Sequence, residues 1–205
     1  MAVMSVSPTR MELKRLKRKL DSAVRGHKLL KDKRDEMMRR FIPLIHENYA
    51  LRASVERKLT EAFGEFSMCQ GLMDPAMLHA ALLLPARSAE VNAEAVNIVS
   101  VNTPRFTAVI NDEAFSYGLV QTSTLLDSSV KLLASALPDL ISLAEIEKTC
   151  DLLADEIART NRRVNALEYI LIPDLKDTIR FITMKRYEDE LSERVRLMKV
   201  KDLIS

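Results

Sequence analysis

The 205-residue sequence has no tryptophan, four glycines, two cysteines and an aromatic content of 5%. A compact α/β enzyme draws on aromatic bulk and glycine turns, so this profile favours long helices. Gly26, Gly64, Gly71 and Gly118 are too scattered to cradle a phosphate, and no GxxxxGK[ST], GxSxG or HExxH pattern occurs. Cys69 and Cys150 belong to no CxxC pair. With the isolated His27, His46 and His79 they offer no metal-ligand spacing, so two reduced thiols and no cofactor or metal are expected. No apolar run approaches the ~20 residues that span a bilayer. The longest, around 80–86, is cut by Pro85. The start, MAVMSVSPTR, lacks the charged region and apolar core of a secretory signal. The expectation is a non-catalytic chain, made and kept in the cytoplasm without direct membrane insertion.

What is present is period and charge. Thr9-Arg10-Met11-Glu12 reads as a capping box after Pro8. From there Leu13, Leu16, Leu20, Ala23, His27, Leu30, Arg34, Met37, Phe41, Leu44, Asn48, Leu51 and Val55 alternate steps of three and four, the seam of a coiled coil. His27, Arg34 and Asn48 are the polar exceptions, and they set register at a cost in stability. The helix is expected to run to about Cys69, kinked at Pro43. Beyond Pro138, Leu140, Leu143, Ile146, Cys150, Leu153, Ile157, Thr160, Val164, Leu167 and Leu171 keep the same spacing, and the face drifts after Pro173 as at a stutter.

Between these arms MLHAALLL (77–84) reads as a short helix. Residues 96–110 carry the β-formers Val96, Ile98, Val99, Val101, Phe106, Val109 and Ile110 around Asn102-Thr103-Pro104, which reads as a short hairpin or two small strands. The layout is a single elongated domain over 1–205. It has an N-terminal arm over 9–69, a central α/β insertion over 70–137 and a C-terminal arm over 138–203. The expected fold class is mainly α, a long antiparallel two-helix coiled coil with a short β-hairpin in the insertion. Matching arm lengths puts Leu13 opposite about Arg196 and Cys69 opposite about Leu140.

The net charge of +2 hides a polarity. Residues 10–40 hold thirteen Lys and Arg against five Asp and Glu, 41–158 hold seven against sixteen, and 159–201 hold eleven against seven. One end of the hairpin of helices is thus basic and the other acidic. A basic stretch such as 14–40 can bind nucleic acid or anionic lipid, and a coiled-coil scaffold would also explain the heptads. The basic residues, however, flank an apolar seam without interleaved aromatics for base stacking. Docking into an acidic protein socket fits better than nucleic acid. Glu188-Asp189-Glu190, beside Lys185 and Arg186, reads as a solvated, ion-paired helix face.

Ser7-Pro8-Thr9-Arg10, then 26–36 (GHKLLKDKRDE), Tyr117-Gly118, 143–148 (LAEIEK), 162–169 (RRVNALEY), Ile172-Pro173 and 196–201 (RLMKVK) occur in an order that resembles the D subunit of the rotary V/A-type ATPases. Asn161 stands where many relatives carry a third consecutive arginine. The resemblance implies a central-stalk rotor shaft without catalytic residues. It would enter the hexamer of catalytic A and non-catalytic B subunits and bind the small F subunit of the stalk. Its closed end would rest on the subunit that caps the proton- or sodium-translocating membrane ring. It offers Arg10, Lys14, Arg34, Arg159, Arg162, Arg163, Arg194 and Arg196 as hexamer contacts. Segment 96–110 is similar to the family's small hairpin, placed to touch the stator or neighbouring subunits.

Overall fold

A computed structural model describes residues 6–83, 87–112, 117–118 and 122–204, without the side chains of Arg87, Asn111 and Asp112. In chain order come α1 (Arg10–Leu72), α2 (Pro75–Leu82), β1 (Arg87–Ile98), β2 (Val101–Asp112), α3 (Thr124–Ala166), a π-helical turn (Leu167–Leu171) and α4 (Ile172–Ile204). The fold is a long antiparallel helix pair with a two-stranded hairpin in the middle of the chain, as expected. The short helix ends at Leu82; Leu84, the last residue of its expected span, lies outside the described residues.

The chain packs as two units, Met1–Glu36 with Ile157–Ser205, and Met37–Glu156. The first begins at the Thr9 cap, whose Oγ1 accepts from the Glu12 amide at 3.3 Å while its carbonyl takes the Leu13 amide. Leu16, Ala23, Leu175 and Ile182 form its buried centre, with Leu13, Leu20, Leu167, Leu171 and Ile179 packed around them. Polar contacts also cross this pair. His27 Nε2 lies 3.2 Å from Glu168 Oε2, and Arg34 donates from Nη1 to Asn161 Oδ1 at 3.3 Å.

In the second unit Cys69, Leu78 and Leu126 are the buried centre, with Phe66, Met73 and Leu125 around them. Here Lys58 Nζ sits 2.5 Å from Asp139 Oδ2, and Ser128 donates to Glu65. Met37 and Val55, both fully enclosed, are eighteen residues apart, five turns of an ordinary α-helix. Leu44, Asn48 and Leu51 between them are only half-buried. Beyond Val55, Ala62 and Cys69 are buried at steps of seven, so the expected seam is the buried face here too.

Both units correct the expected register. Leu13 packs in the cluster of Ile179 and Ile182, not opposite Arg196, and Cys69 packs on Leu126, not near Leu140. Each displacement is about two heptads. A slip by whole heptads keeps apolar residues facing apolar residues, so the seam alone does not fix it; the Arg34–Asn161 and Lys58–Asp139 contacts do.

The three prolines in the arms behave differently. Pro43 and Pro138 sit inside unbroken helix at exposed positions, where water can take up the carbonyl each leaves without a donor. Pro173 is half-buried, and the π turn directly precedes it. The Ile172 amide bonds to the Leu167 carbonyl, five residues back, which widens the helix just where the proline ring would crowd the Tyr169 carbonyl.

The hairpin is longer than expected and turns elsewhere. Arg87↔Asp112 to Ile98↔Val101 pair without a bulge, and the turn is Val99-Ser100, at φ 50° and 67°. Two central residues at positive φ make a type I′ turn, which matches the twist of the strands. Asn102-Thr103-Pro104 lies within β2. The Asn97 side chain secures the turn, accepting from the Ser100 amide at 3.0 Å.

Candidate partner-binding surfaces

All eight arginine and lysine candidates fall in the first unit. By residue numbers, that unit holds twenty-two Lys and Arg against thirteen Asp and Glu, a net of +9. The second holds nine against sixteen, a net of −7. Arg10 and Lys14 are exposed on the first turns of α1, and Arg159, Arg162 and Arg163 are exposed near the end of α3. Arg34 is half-buried, forked onto Asp35 Oδ1 at 3.0 and 2.8 Å as well as bonded to Asn161. It therefore lies level with Arg162 and Arg163 rather than with Arg10. Arg194 and Arg196 are exposed on α4 beyond Ile182, the last enclosed residue of the pair.

That last stretch is the most unusual surface of the unit. From Thr183 to Ile204 every residue but Arg186 is exposed, including Tyr187, Leu191, Val195, Met198, Leu203 and Ile204. Lys185–Glu188 at 3.1 Å and Arg186–Glu190 at 2.8 Å give it the ion-paired face expected from the sequence. The Glu188 carboxylate also raises the Lys185 pKa. Such exposed pairs support an isolated helix only weakly. The register of the pair brings Arg10, where α1 begins, level with about Lys185. The remaining ~19 residues of α4, roughly 28 Å of helix, run on past it.

The second unit has its own apolar surface. Asp74 caps α2, accepting from the Ala76 amide at 3.0 Å with Pro75 at the first helical position. Beside α2, Phe66, Gln70, Pro75, Leu78, His79 and Leu82 line a mostly apolar groove of about 480 Å³. Met77 of α2 and Leu83, which follows it, are also exposed, as are Met68 and Leu72 on another face of α1.

Neither surface, among the described residues, contains an assembled reaction centre. Among the same residues no three His, Cys, Asp or Glu are placed to hold a metal ion, and no helix is long and apolar enough to cross a membrane. Cys69 and Cys150 are free thiols, their pKa values raised by burial. Tyr117 donates to Asp127 Oδ1 at 2.8 Å. Its phenol pKa is pushed above the ordinary range, first by desolvation and then by that hydrogen bond and the carboxylate charge.

The family model for the ATP synthase D subunit matches residues 12–202. The chain belongs to that family. It is 45% identical over 207 residues to a V-type ATP synthase D subunit of Thermoanaerobacter pseudethanolicus (strain ATCC 33223 / 39E), covering 100% of this chain and 99% of the relative. It is 48% identical over 206 residues to a V-type ATP synthase D subunit of Clostridium botulinum (strain Okra / Type B1), covering 98% and 95%. Membership makes the chain part of a V/A-type ATPase, so its surfaces meet other subunits of a complex.

Sequence reasoning missed the α2 groove and the exposed apolar residues around it. The signal was there: Phe63, Met68 and Leu72 are large apolar residues on α1 that stand off its seam.

Proposed function

We propose that this chain is the central-stalk shaft of the ATPase, transmitting torque between the catalytic A/B hexamer and the ion-translocating membrane ring without catalysing a step itself. The observation that carries the reading is the end of α4, where a single helix continues past its partner with exposed Tyr187, Leu191, Val195 and Met198 among basic residues. A lone helix with such a stripe is marginal in water, so it is built to be enclosed. A socket in the hexamer would enclose it. Arg10, Lys14, Arg194 and Arg196 would contact the socket wall, and Arg159, Arg162 and Arg163 the rim. Arg34, already committed to Asp35 and Asn161, would act by holding the pair in register. The small F subunit would bind along the helix pair. The apolar surface at α2 would rest on the subunit that caps the ring, and the complex would sit on the cytoplasmic side of the membrane.

The test is single-molecule rotation. With the hexamer fixed to a surface and a bead attached to this chain, ATP should drive unidirectional turning of the bead. Removing 186–205 should leave a folded chain whose bead slips or stalls. A stationary bead on a hexamer that is hydrolysing ATP would sink the rotor reading.

A further inference from the structure

The hairpin presents an edge that its own sheet does not use. Ile98 and Val101 flank a two-residue turn and exchange both backbone bonds, so Val96, Glu94, Asn92 and Glu90 also face β2. Ala89, Val91, Ala93 and Ala95 therefore point their N–H and C=O groups outward. The same parity holds on β2, where the Phe106 amide faces away from β1 and donates to Glu145 Oε2 at 2.7 Å. Thus β2's outer edge is engaged by α3, whereas β1 is paired on one side only among the described residues. Residues 88–97 of β1 are all exposed.

Exposed edges are normally blunted by proline, lysine or a bulge. From 88 to 98 β1 has no proline, lysine or bulge, and its only charges are Glu90 and Glu94. Its two faces are also sorted. The outward-pointing residues put Ala89, Val91, Ala93 and Ala95 on one face, beside Pro104, Phe106, Ala108 and Ile110 of β2. The other face carries Glu90, opposite Val109, and Glu94, opposite Arg105; both carboxylates are exposed and, among the described residues, neither makes an ion pair.

We propose that β1 accepts an added strand from another subunit of the complex, an extended segment with Lys or Arg alternating with bulky apolar residues. The basic side chains would lie opposite Glu90 and Glu94. The bulky ones would fill the space over the alanine row, where cross-strand packing has room. Main-chain bonds to Ala89, Val91, Ala93 and Ala95 would supply the affinity, as in other strand additions. The inference rests on membership of a complex and not on torque, so it stands or falls apart from the rotation experiment.

Amide exchange in the free chain and in the complex purified from its own cells is the test. Val91, Ala93 and Ala95 should exchange at least tenfold more slowly in the complex, with Glu90, Asn92 and Glu94 changing less. The double variant V91P/A93P removes two outward donors while keeping the ladder, because proline is tolerated on an edge. It should abolish protection at Ala95, with the Phe106 amide still protected as a check that the hairpin is folded. The double variant E90K/E94K should reverse the charge match and cost at least tenfold in protection. Equal exchange in the free and assembled chain would overturn the proposal. So would protection that appears in the isolated chain as its concentration rises, which would make a second copy the occupant. If E90K/E94K is neutral, a basic partner strand is wrong.

Discussion

The two units share two helices, α1 and α3, and little else. The first is basic, and its interior is a single seam of Leu, Ile, Ala and Val with two buried threonines, down to Ile182. The second is acidic and carries the hairpin, α2 and the α2 groove. Its interior continues the seam through Met37 and Val55 of α1 and Leu143 and Leu153 of α3, and closes on a cluster around Cys69, Leu78 and Leu126 to which α2 contributes. The contrast teaches where stability and recognition are concentrated. The first unit depends on one seam, so a single buried position there is expected to matter most. The second spreads its contacts, so its recognition surfaces can vary without loss of the unit.

The sharpest way to break that contrast is to put a charge into the first unit's interior. Leu175 is fully enclosed, and Leu175→Asp should cost about 3–5 kcal/mol, because an unpaired carboxylate is left without water. Residue-resolved amide exchange should show protection lost over 10–36 and 157–182 while Phe106 stays protected. Loss spread evenly over both units would mean that they unfold as one. Leu167, also on the seam, is only half-buried, and the same change there should cost visibly less.

The counterpart in the second unit is the Tyr117–Asp127 bond. Tyr117→Phe should cost about 1–2 kcal/mol, since it leaves a half-buried carboxylate short of a donor. The bond also gives the unit a pH signature. The folded phenol holds its proton above the ordinary range, whereas the unfolded phenol releases it near pH ~10. Its contribution is therefore complete below about pH 10 and is lost as pH rises from there, because the unfolded chain then binds fewer protons than the native one. Urea melts at pH 9 and 11 should show a larger drop for the parent than for Y117F. Equal drops would remove Tyr117 from the account.

A smaller effect of opposite sign belongs to the first unit. Thr160 is buried to 1% and its hydroxyl has no hydrogen-bond partner among the described residues, whereas the buried Thr178 bonds back to the Asp174 carbonyl at 2.7 Å. Thr160→Val keeps the shape and removes the unsatisfied oxygen, so it should raise stability by about 1 kcal/mol in a chemical melt. A destabilised T160V would mean that the hydroxyl has a partner in solution.

What was legible in the sequence follows from what each signal encodes. The seam from Leu13 to Val55 named the helix and its buried face, because apolar spacing reports directly on which side meets a partner. Register was not legible. Leu13 against Arg196 and Leu13 against Ile182 satisfy the same heptads, and the choice rests on contacts such as Arg34–Asn161 that spacing does not rank. Pro138 read as a boundary because proline removes a donor, but at an exposed position the helix tolerates it. Of the eight candidate contacts, their gathering into one basic unit followed from charge counting. The level of Arg34 did not, because it depends on register. The first strand was half-missed because Ala, Glu and Asn are poor strand formers. It is specified by its partner strand rather than by itself.

The hairpin turn makes the smallest prediction and the most local one. Val99 holds φ at 50°, where the β-carbon of a branched residue crowds the backbone, at a cost of about 1–2 kcal/mol. Asparagine is favoured at this position of a type I′ turn and tolerates the left-handed region. Val99→Asn should therefore stabilise the hairpin by about 0.5–1 kcal/mol after the loss of valine's partial burial. The gain should appear as slower exchange at amides of the β1–β2 ladder with no change at Leu175. That outcome would keep the two units energetically separate. A shift at Leu175 would couple them through α1. If valine at this turn is instead worth more than asparagine, its side chain contributes packing against the unit's helices that outweighs the strain, and the turn is held by its surroundings rather than by its own backbone preference.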